Sequence, residues 1–264
     1  MVRLIAPLAA AVSFLSACAS APLPPETPTG PHFKVLTFNV NYGGPGADLA
    51  LAAIREEDAD LVCLQETTPE WLQFLRAGLQ DRYAHVDFHH SRGAGGQAVF
   101  SKFPMKRIDM VPSPVEWFPA GIYIVETPVG AVQLFNLHLH PGVSEEGSFT
   151  PRAYLSTAPD ARLKEIRAYY ERRDPALPTL MIGDFNEGDS GSVVQWLREK
   201  GLKDALPKFD TYTKTWHWET SIGITVKHRL DHLLYSPPLH CLEARVVQKG
   251  ESDHYPVIAV FEKR

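Results

Sequence analysis

The chain has 264 residues, a formal charge of −5, 44% hydrophobic and 22% charged side chains, which is the composition of an ordinary globular protein. A net acidic chain is not built to hold phosphate backbones by bulk charge, which argues against a duplex-binding protein. It leaves open a nuclease whose metal ions supply the local positive charge.

At the N-terminus Arg3 precedes an apolar run, Leu4 to Leu15. The run is shorter than the roughly 20 residues a spanning helix needs and has the pattern of a secretory signal. It ends in Leu15-Ser16-Ala17-Cys18, which resembles the lipobox of bacterial lipoproteins. Residues 1–17 are therefore expected to be a lipoprotein signal peptide cut before a lipidated Cys18. Ala19, in place of an inner-membrane aspartate signal, points to the outer membrane. Residues 18–31 hold a proline-rich stretch that cannot bury a core and are expected to be an extended tether. The lipid anchor is the only membrane contact expected, because no second apolar run is long enough to span. Residues 32–264 form the folded domain, expected to be a monomer.

Within it, His32 to Val40 reads as a strand, and Ala47, Ala50, Leu51 and Ile54 mark one face of a helix. Asp60 to Gln65 is an apolar strand, and Pro69 opens a helix to about Leu79. Tyr83–Phe88, Ala98–Phe103, Ile122–Glu126 and Val132–His138 read as antiparallel strands. A helix over 159–173, a strand at Thr179–Ile182 and a helix over 192–200 follow, and strands at 229–235, 242–248 and 255–262 close the chain. Helix-linked strands flanking a run of hairpins predict an α/β sandwich: two mixed, mainly antiparallel sheets face to face with helices outside, four layers in all. Cys63 and Cys241 lie in apolar or β-like runs and are expected to be buried free thiols.

Several strands end in polar groups that an apolar strand does not need. These are Asn39, Glu66, His138, the Asp184/Asn186 pair, Asp231 and Asp253-His254. Strand ends of a sandwich converge on one rim. Oxygen donors such as Glu66, Asp253 and Asn39 suit a hard cation such as Mg²⁺, and histidines add proton transfer. No Gly-x-Ser-x-Gly elbow, Walker loop or dinucleotide fingerprint is present.

The series Thr37-Phe38-Asn39-Val40, Leu64-Gln65-Glu66, Asn136-Leu137-His138-Leu139, Gly183-Asp184-Phe185-Asn186, Arg229-Leu230-Asp231 and Ser252-Asp253-His254-Tyr255-Pro256-Val257 resembles the endonuclease/exonuclease/phosphatase superfamily, the deoxyribonuclease I-like fold. The resemblance covers about residues 33–262. It implies Glu66 as principal metal ligand, with Asn39 and Asp253 completing a Mg²⁺ site that Mn²⁺ or Ca²⁺ could also fill. It implies Asp184 as the group that orients or deprotonates water, and Asn186 as a positioner of phosphate or water. His138 and His254 would donate to the phosphate, and Asp231 would hold the ring of His254. Arg162 would be a structural ion pair, and His232 a core residue.

The implied activity is metal-dependent phosphodiester hydrolysis, with a surface nuclease acting on nucleic acid as the leading reading. A phospholipase C or sphingomyelinase-type enzyme, a phosphomonoesterase and a catalytically silent binding lipoprotein are the alternatives. No aromatic β-hairpin suited to membrane insertion is evident in the sequence, which tells against the phospholipase. Trp216-His217-Trp218 could stack a base or a headgroup, or simply pack a loop.

Overall fold

The computed structural model describes residues 21–44, 46–91, 93–142, 158–219 and 223–264; the signal segment and Cys18 lie outside the described residues. In chain order the elements are β1 (His32–Asn39), α1 (Ala47–Glu57), β2 (Leu61–Gln65), α2 (Pro69–Leu79), β3 (His85–His89), β4 (Gln97–Ser101), β5 (Met105–Val111), β6 (Ala120–Thr127), β7 (Gly130–His138) and α3 (Ala158–Tyr170). There follow β8 (Thr179–Asp184), α4 (Ser192–Glu199), β9 (Lys203–Asp204), α5 (Leu206–Phe209), β10 (Trp216–Glu219), β11 (Thr225–His228), β12 (Asp231–Tyr235), β13 (Leu239–Val246) and β14 (Val257–Lys263).

Two six-stranded sheets form, ordered β13-β14-β1-β2-β4-β3 and β5-β6-β7-β8-β12-β9. Alternation along each central strand builds three apolar layers. Val35, Cys63, Val99, Leu134, Ile182 and Leu233 meet between the sheets. Leu36, Val62 and Leu64 pack outward on Ile54, Trp71 and Leu75 of α1 and α2. Phe135, Met181 and Leu234 pack outward on Ile166, Val193 and Leu197 of α3 and α4. The result is the expected four-layer sandwich. α2 begins where the sequence places it: Pro69 occupies the first turn, and the Thr68 hydroxyl accepts from Trp71 N–H at 3.3 Å.

Five elements were not legible in the sequence. β5 and β9 are sheet edges, β10 and β11 form a separate two-stranded ribbon, and α5 is a single turn. Edge strands carry charge rather than an apolar face, as Lys106, Arg107 and Asp109 do on β5. The ribbon also corrects the expectation that no exposed aromatic hairpin exists, since Trp218 on it is 56% exposed.

Cys63 and Cys241 are both buried and free. They sit on β2 and β13, three strands apart in one sheet, or roughly 14 Å, which no disulfide spans. The tether is more tied down than its composition suggests. Leu23 N–H donates to Lys208 O and Glu26 N–H to Leu242 O. The Glu26 carboxylate pairs with Lys208 at 2.8 Å, Arg264 at 2.9 Å and His240 at 3.0 Å. Thr29 N–H donates to Glu262 at 3.1 Å. These contacts lie at the N-terminal end of β1 and the C-terminal end of β14.

Candidate active site

The opposite end of the sheets carries the predicted polar groups. β1 and β2 run parallel and finish together at Asn39 and Gln65, with Glu66 next. In the other sheet β7 and β8 run parallel to His138 and Asp184, and β12 enters antiparallel with Asp231 opposite Asp184. His254 leads into β14. The two sheets thus bring four strand ends to one rim. Glu66, His138, Asp184, Asn186, Asp253 and His254 line a common cleft of about 380 Å³, with Trp117, Phe118 and Trp216 on its walls. A larger groove of about 960 Å³ between α2 and β3 is lined by none of the predicted residues.

Asn39 sits at the centre. Its Nδ2 donates to Glu66 Oε1 at 2.8 Å and to Asp184 Oδ2 at 3.1 Å, while its Oδ1 accepts from Asn41 N–H. So placed, Asn39 holds two carboxylates together as a donor and does not present an oxygen to a cation beside Glu66. Asp253 accepts from Asn41 Nδ2 and from the Trp216 indole, both at 3.0 Å. Asn186 donates through Nδ2 to Leu139 O, and its N–H donates to Asp184 Oδ1 at 2.8 Å.

The two histidines are in opposite states. Burial holds His138 down to about 4, against the pull of Asp184. It is neutral at pH 7. Its Nδ1 lies 3.2 Å from Ala94 O, which can only accept, so Nδ1 carries the proton and Nε2 the lone pair. In this state His138 accepts, which departs from the donor role the resemblance implied. Burial also acts to lower His254, but the carboxylates of Asp231 and Asp184 overcome it and raise the group to about 10. His254 is an imidazolium. Its Nδ1–H donates to Asp231 at 2.9 Å, and Nε2 stands 3.5 Å from Asp184. Burial raises the carboxyls of Asp184 and Glu66.

A family description, Endonuclease/Exonuclease/phosphatase family, matches residues 36–254. The chain belongs to this family. Members of the endonuclease/exonuclease/phosphatase family are typically phosphoester hydrolases that use divalent metals. No curated protein matches the sequence at a significant level. Solved structures show the same fold. A family protein from Beutenbergia cavernae has 19% identity and TM-score 0.67 over 88% of this chain and 72% of its own. An AP endonuclease from Archaeoglobus fulgidus has 19% identity and TM-score 0.66, covering 87% of this chain and 99% of that one. D. rerio TDP2 complexed with single strand DNA product has 16% identity and TM-score 0.65, covering 88% and 99%.

The family's divalent metal fits the donor set. Among the described residues no Lys or Arg pairs with Glu66, Asp184, Asp231 or Asp253, and the imidazoles are their only ion-pair partners. Oδ1 of Asp231 is buried without a hydrogen-bond partner. Such a surplus of buried negative charge calls for a cation, and carboxylate oxygens suit a hard one. Of the two carboxylates nearest His138, Glu66 is the more open, at 16% exposure against 2% for Asp184.

Backbone strain concentrates here. Asn41, Glu66 and Asn186 all have positive φ (58°, 60° and 52°), and Glu66 is a residue type with no local preference for that region. Gly183 lies inside β8, not in a turn. Its φ is 139°, and a Cβ there would stand 1.9 Å from Leu137 O on β7. The glycine permits the close approach that sets Asp184 beside His138.

The sequence reading missed the support behind the rim. Phe118 stacks on His138 with centroids 4.0 Å apart, and Trp117 meets His140 edge-on at 4.6 Å. α3 holds both wall and floor. Glu165 accepts from the Ser113 hydroxyl and from His140 N–H, each at 2.7 Å, and Tyr169 OH donates to Phe118 O at 2.8 Å. Arg162, expected as a structural ion pair, donates to Asn186 O, with Glu187 4.0 Å away. Burial raises Glu165 to about 7. An (i, i+3) pair of opposite charges on a helix reads in sequence as a solvated ridge, and only the packing shows it turned inward. His232 is the core residue expected, pinned between Asp204 Oδ2 and Glu187 O at 2.9 Å each.

Proposed function

We propose that the protein is an exported, Mg²⁺-dependent phosphodiester hydrolase, a nuclease anchored through Cys18 to the outer membrane and acting as a monomer. One observation carries the reading: a cleft where, among the described residues, convergent carboxylates lack Lys or Arg partners and two buried imidazoles hold opposite protonation states. Pairs of titratable groups pushed apart by their surroundings mark the acid and base of a site.

Asp184, held by Asn39 and Asn186 N–H, orients the attacking water and takes its proton. The water oxygen bonds to phosphorus as the bond to the leaving oxygen breaks. His254, kept charged and aimed by Asp231, donates Nε2–H to a phosphoryl oxygen and stabilises the charge growing there. Glu66 would be the principal ligand of a Mg²⁺ ion, which would supply charge neutralisation for the phosphoryl group. The AP endonuclease and TDP2 likenesses favour nucleic acid as substrate. The tether is fixed at the end of the sandwich away from the cleft, roughly 25 Å along β1, so substrate would approach from the side away from the anchor.

A phospholipase C-type reading draws support from the exposed Trp218 ribbon at the rim. Purified protein with Mg²⁺ tests both on plasmid DNA, RNA, bis-p-nitrophenyl phosphate, p-nitrophenyl phosphate and sphingomyelin. Nucleic-acid cleavage that is lost with EDTA and in Glu66→Ala and His254→Ala supports the proposal. Headgroup release without cleavage of nucleic acid moves the assignment to the phospholipase.

A further inference from the structure

The β10–β11 ribbon belongs to neither sheet, yet it is bolted to the catalytic segment. Trp216 bridges to His254, His217 N–H donates to Asp253 O at 2.9 Å, and Tyr255 N–H donates to Thr215 O at 2.7 Å. The His217 ring stacks on Tyr255 at 4.7 Å, which fixes which face of the ribbon turns toward the body there.

The other face is different. Trp216 pairs with His228 and Trp218 with Val226. Residues directly opposite share a face, as do residues two apart, so both tryptophans stand on one side of the ribbon. The Trp216 and His228 rings confirm this, lying nearly parallel 6.1 Å apart. Trp216 walls the cleft, with its indole on Asp253. Trp218 stands about 7 Å further out along the strand and is 56% exposed. A large aromatic left in water, in line with one that walls the reaction cleft, marks a binding surface rather than packing.

We propose that the Trp216–Trp218 face is a base-stacking track for single-stranded nucleic acid, leading outward from the phosphodiester in the cleft. This rests on the reading of the site as a phosphodiesterase. Indole faces in line suit a chain of flat groups, and every nucleobase offers one. A duplex stacks its bases on one another and hides those faces, so the strand is unpaired. Glu219 and Lys227 stand on the opposite face with His217, and Val226 lies across from Trp218 on the indole face, so the sphingomyelin-vesicle arm of the test is what separates a strand from a lipid surface. The chain's formal charge of −5 adds a distinguishing mark. Affinity that comes from stacking rather than from counterion release depends weakly on salt.

The test compares the purified protein with Trp218→Ala and Trp218→Phe. Substrates are a fluorescent oligothymidylate of about 12 nucleotides, the same sequence as a duplex, and bis-p-nitrophenyl phosphate. The ratio of kcat/KM for the oligonucleotide to that for bis-p-nitrophenyl phosphate should fall roughly tenfold or more in Trp218→Ala, through KM, and recover substantially in Trp218→Phe. Oligothymidylate should quench tryptophan fluorescence in the wild type and quench it less in Trp218→Ala. Raising salt from about 50 to 200 mM should change the wild-type oligonucleotide kcat/KM by less than about tenfold. An unchanged ratio in Trp218→Ala overturns the track, as does equal cleavage of the duplex. Sphingomyelin vesicles that sediment the wild type but not Trp218→Ala reassign the face to a lipid surface. If bis-p-nitrophenyl phosphate and oligonucleotide both survive intact while quenching persists and depends on Trp218, the phosphodiesterase reading fails and the track stands.

Discussion

Glu165 gives the sharpest test of how α3 supports the site. Its carboxyl is fully buried and accepts from Ser113 and from His140 N–H. Burial raises it from 4.5 to about 7. Below about pH 4.5 the carboxyl is protonated folded or unfolded and costs nothing. As pH rises the unfolded chain ionises first while the folded chain keeps its proton, so stability falls through the window from 4.5 to about 7 and stays lower above it. At 1.36 kcal/mol per pH unit the loss is about 3 kcal/mol. Glu165→Gln copies the protonated form: its carbonyl accepts from His140 N–H and its amide donates to the Ser113 oxygen. The variant should therefore gain about 3 kcal/mol on the wild type between ~pH 4.5 and ~pH 8, or roughly 6–12 °C in Tm for a chain of this size. Urea unfolding of both proteins across that range measures it. Wild-type and variant curves that run parallel to within about 1 kcal/mol would refute the argument. Glu165→Ala leaves a buried hydroxyl and a buried N–H unpaired, at about 1–3 kcal/mol each. It also frees the loop that stacks Phe118 on His138, so kcat should fall as well.

Three more outcomes follow from the structure. Asp231→Asn should lower kcat by roughly 10²–10⁴-fold, since it removes the charge that orients and protonates His254. Because His254 is raised to about 10, activity that needs the imidazolium is present below that pH and lost above it, and the alkaline limb of the pH profile should move to lower pH in the variant. Mg²⁺ at about 100 times its Kd should stabilise the wild type by about 2.7 kcal/mol in a thermal melt, an increment that EDTA reverses and Glu66→Gln abolishes. Cys63 and Cys241 should stay unreactive to a thiol reagent until the chain unfolds, because burial pushes the Cys63 thiol up and raises Cys241 to about 12.

The convergence of polar groups on one rim was legible because its signals are local. A polar group at the end of an apolar strand conflicts with the strand's own pattern, and six such conflicts in order mark a candidate site before any fold is known. What escaped is what depends on contacts across the chain. Glu165 and Ser113 are 52 residues apart, and nothing near either one announces the other. Trp117 and Phe118 lie in an irregular stretch with no period to read. β10 and β11 have four residues each, too few for alternation to register. The glycine of Gly183-Asp184 shows the same limit at a single position. Nothing beside it in the sequence announces the constraint, which comes from the carbonyl of Leu137 on the next strand.

Protonation is the least local property of all. His138 and His254 are both strand-end histidines beside acidic motifs, and the family resemblance implies the same role for both, as phosphate donors. The difference lies in the second neighbour. Asp231 and Asp184 both face His254 and hold its proton, whereas His138 is sealed between the Phe118 ring and the Ala94 carbonyl. One therefore presents an N–H and the other a lone pair, and the state of His138 comes from a loop that carries no catalytic motif. Removing the wall should convert the pair: with Phe118→Ala, water reaches His138, the burial that holds it near 4 is relieved, and its NMR titration should move up toward the ordinary histidine value of about 6.5. A His138 titration that stays near 4 in that variant would show that the wall does not set its state.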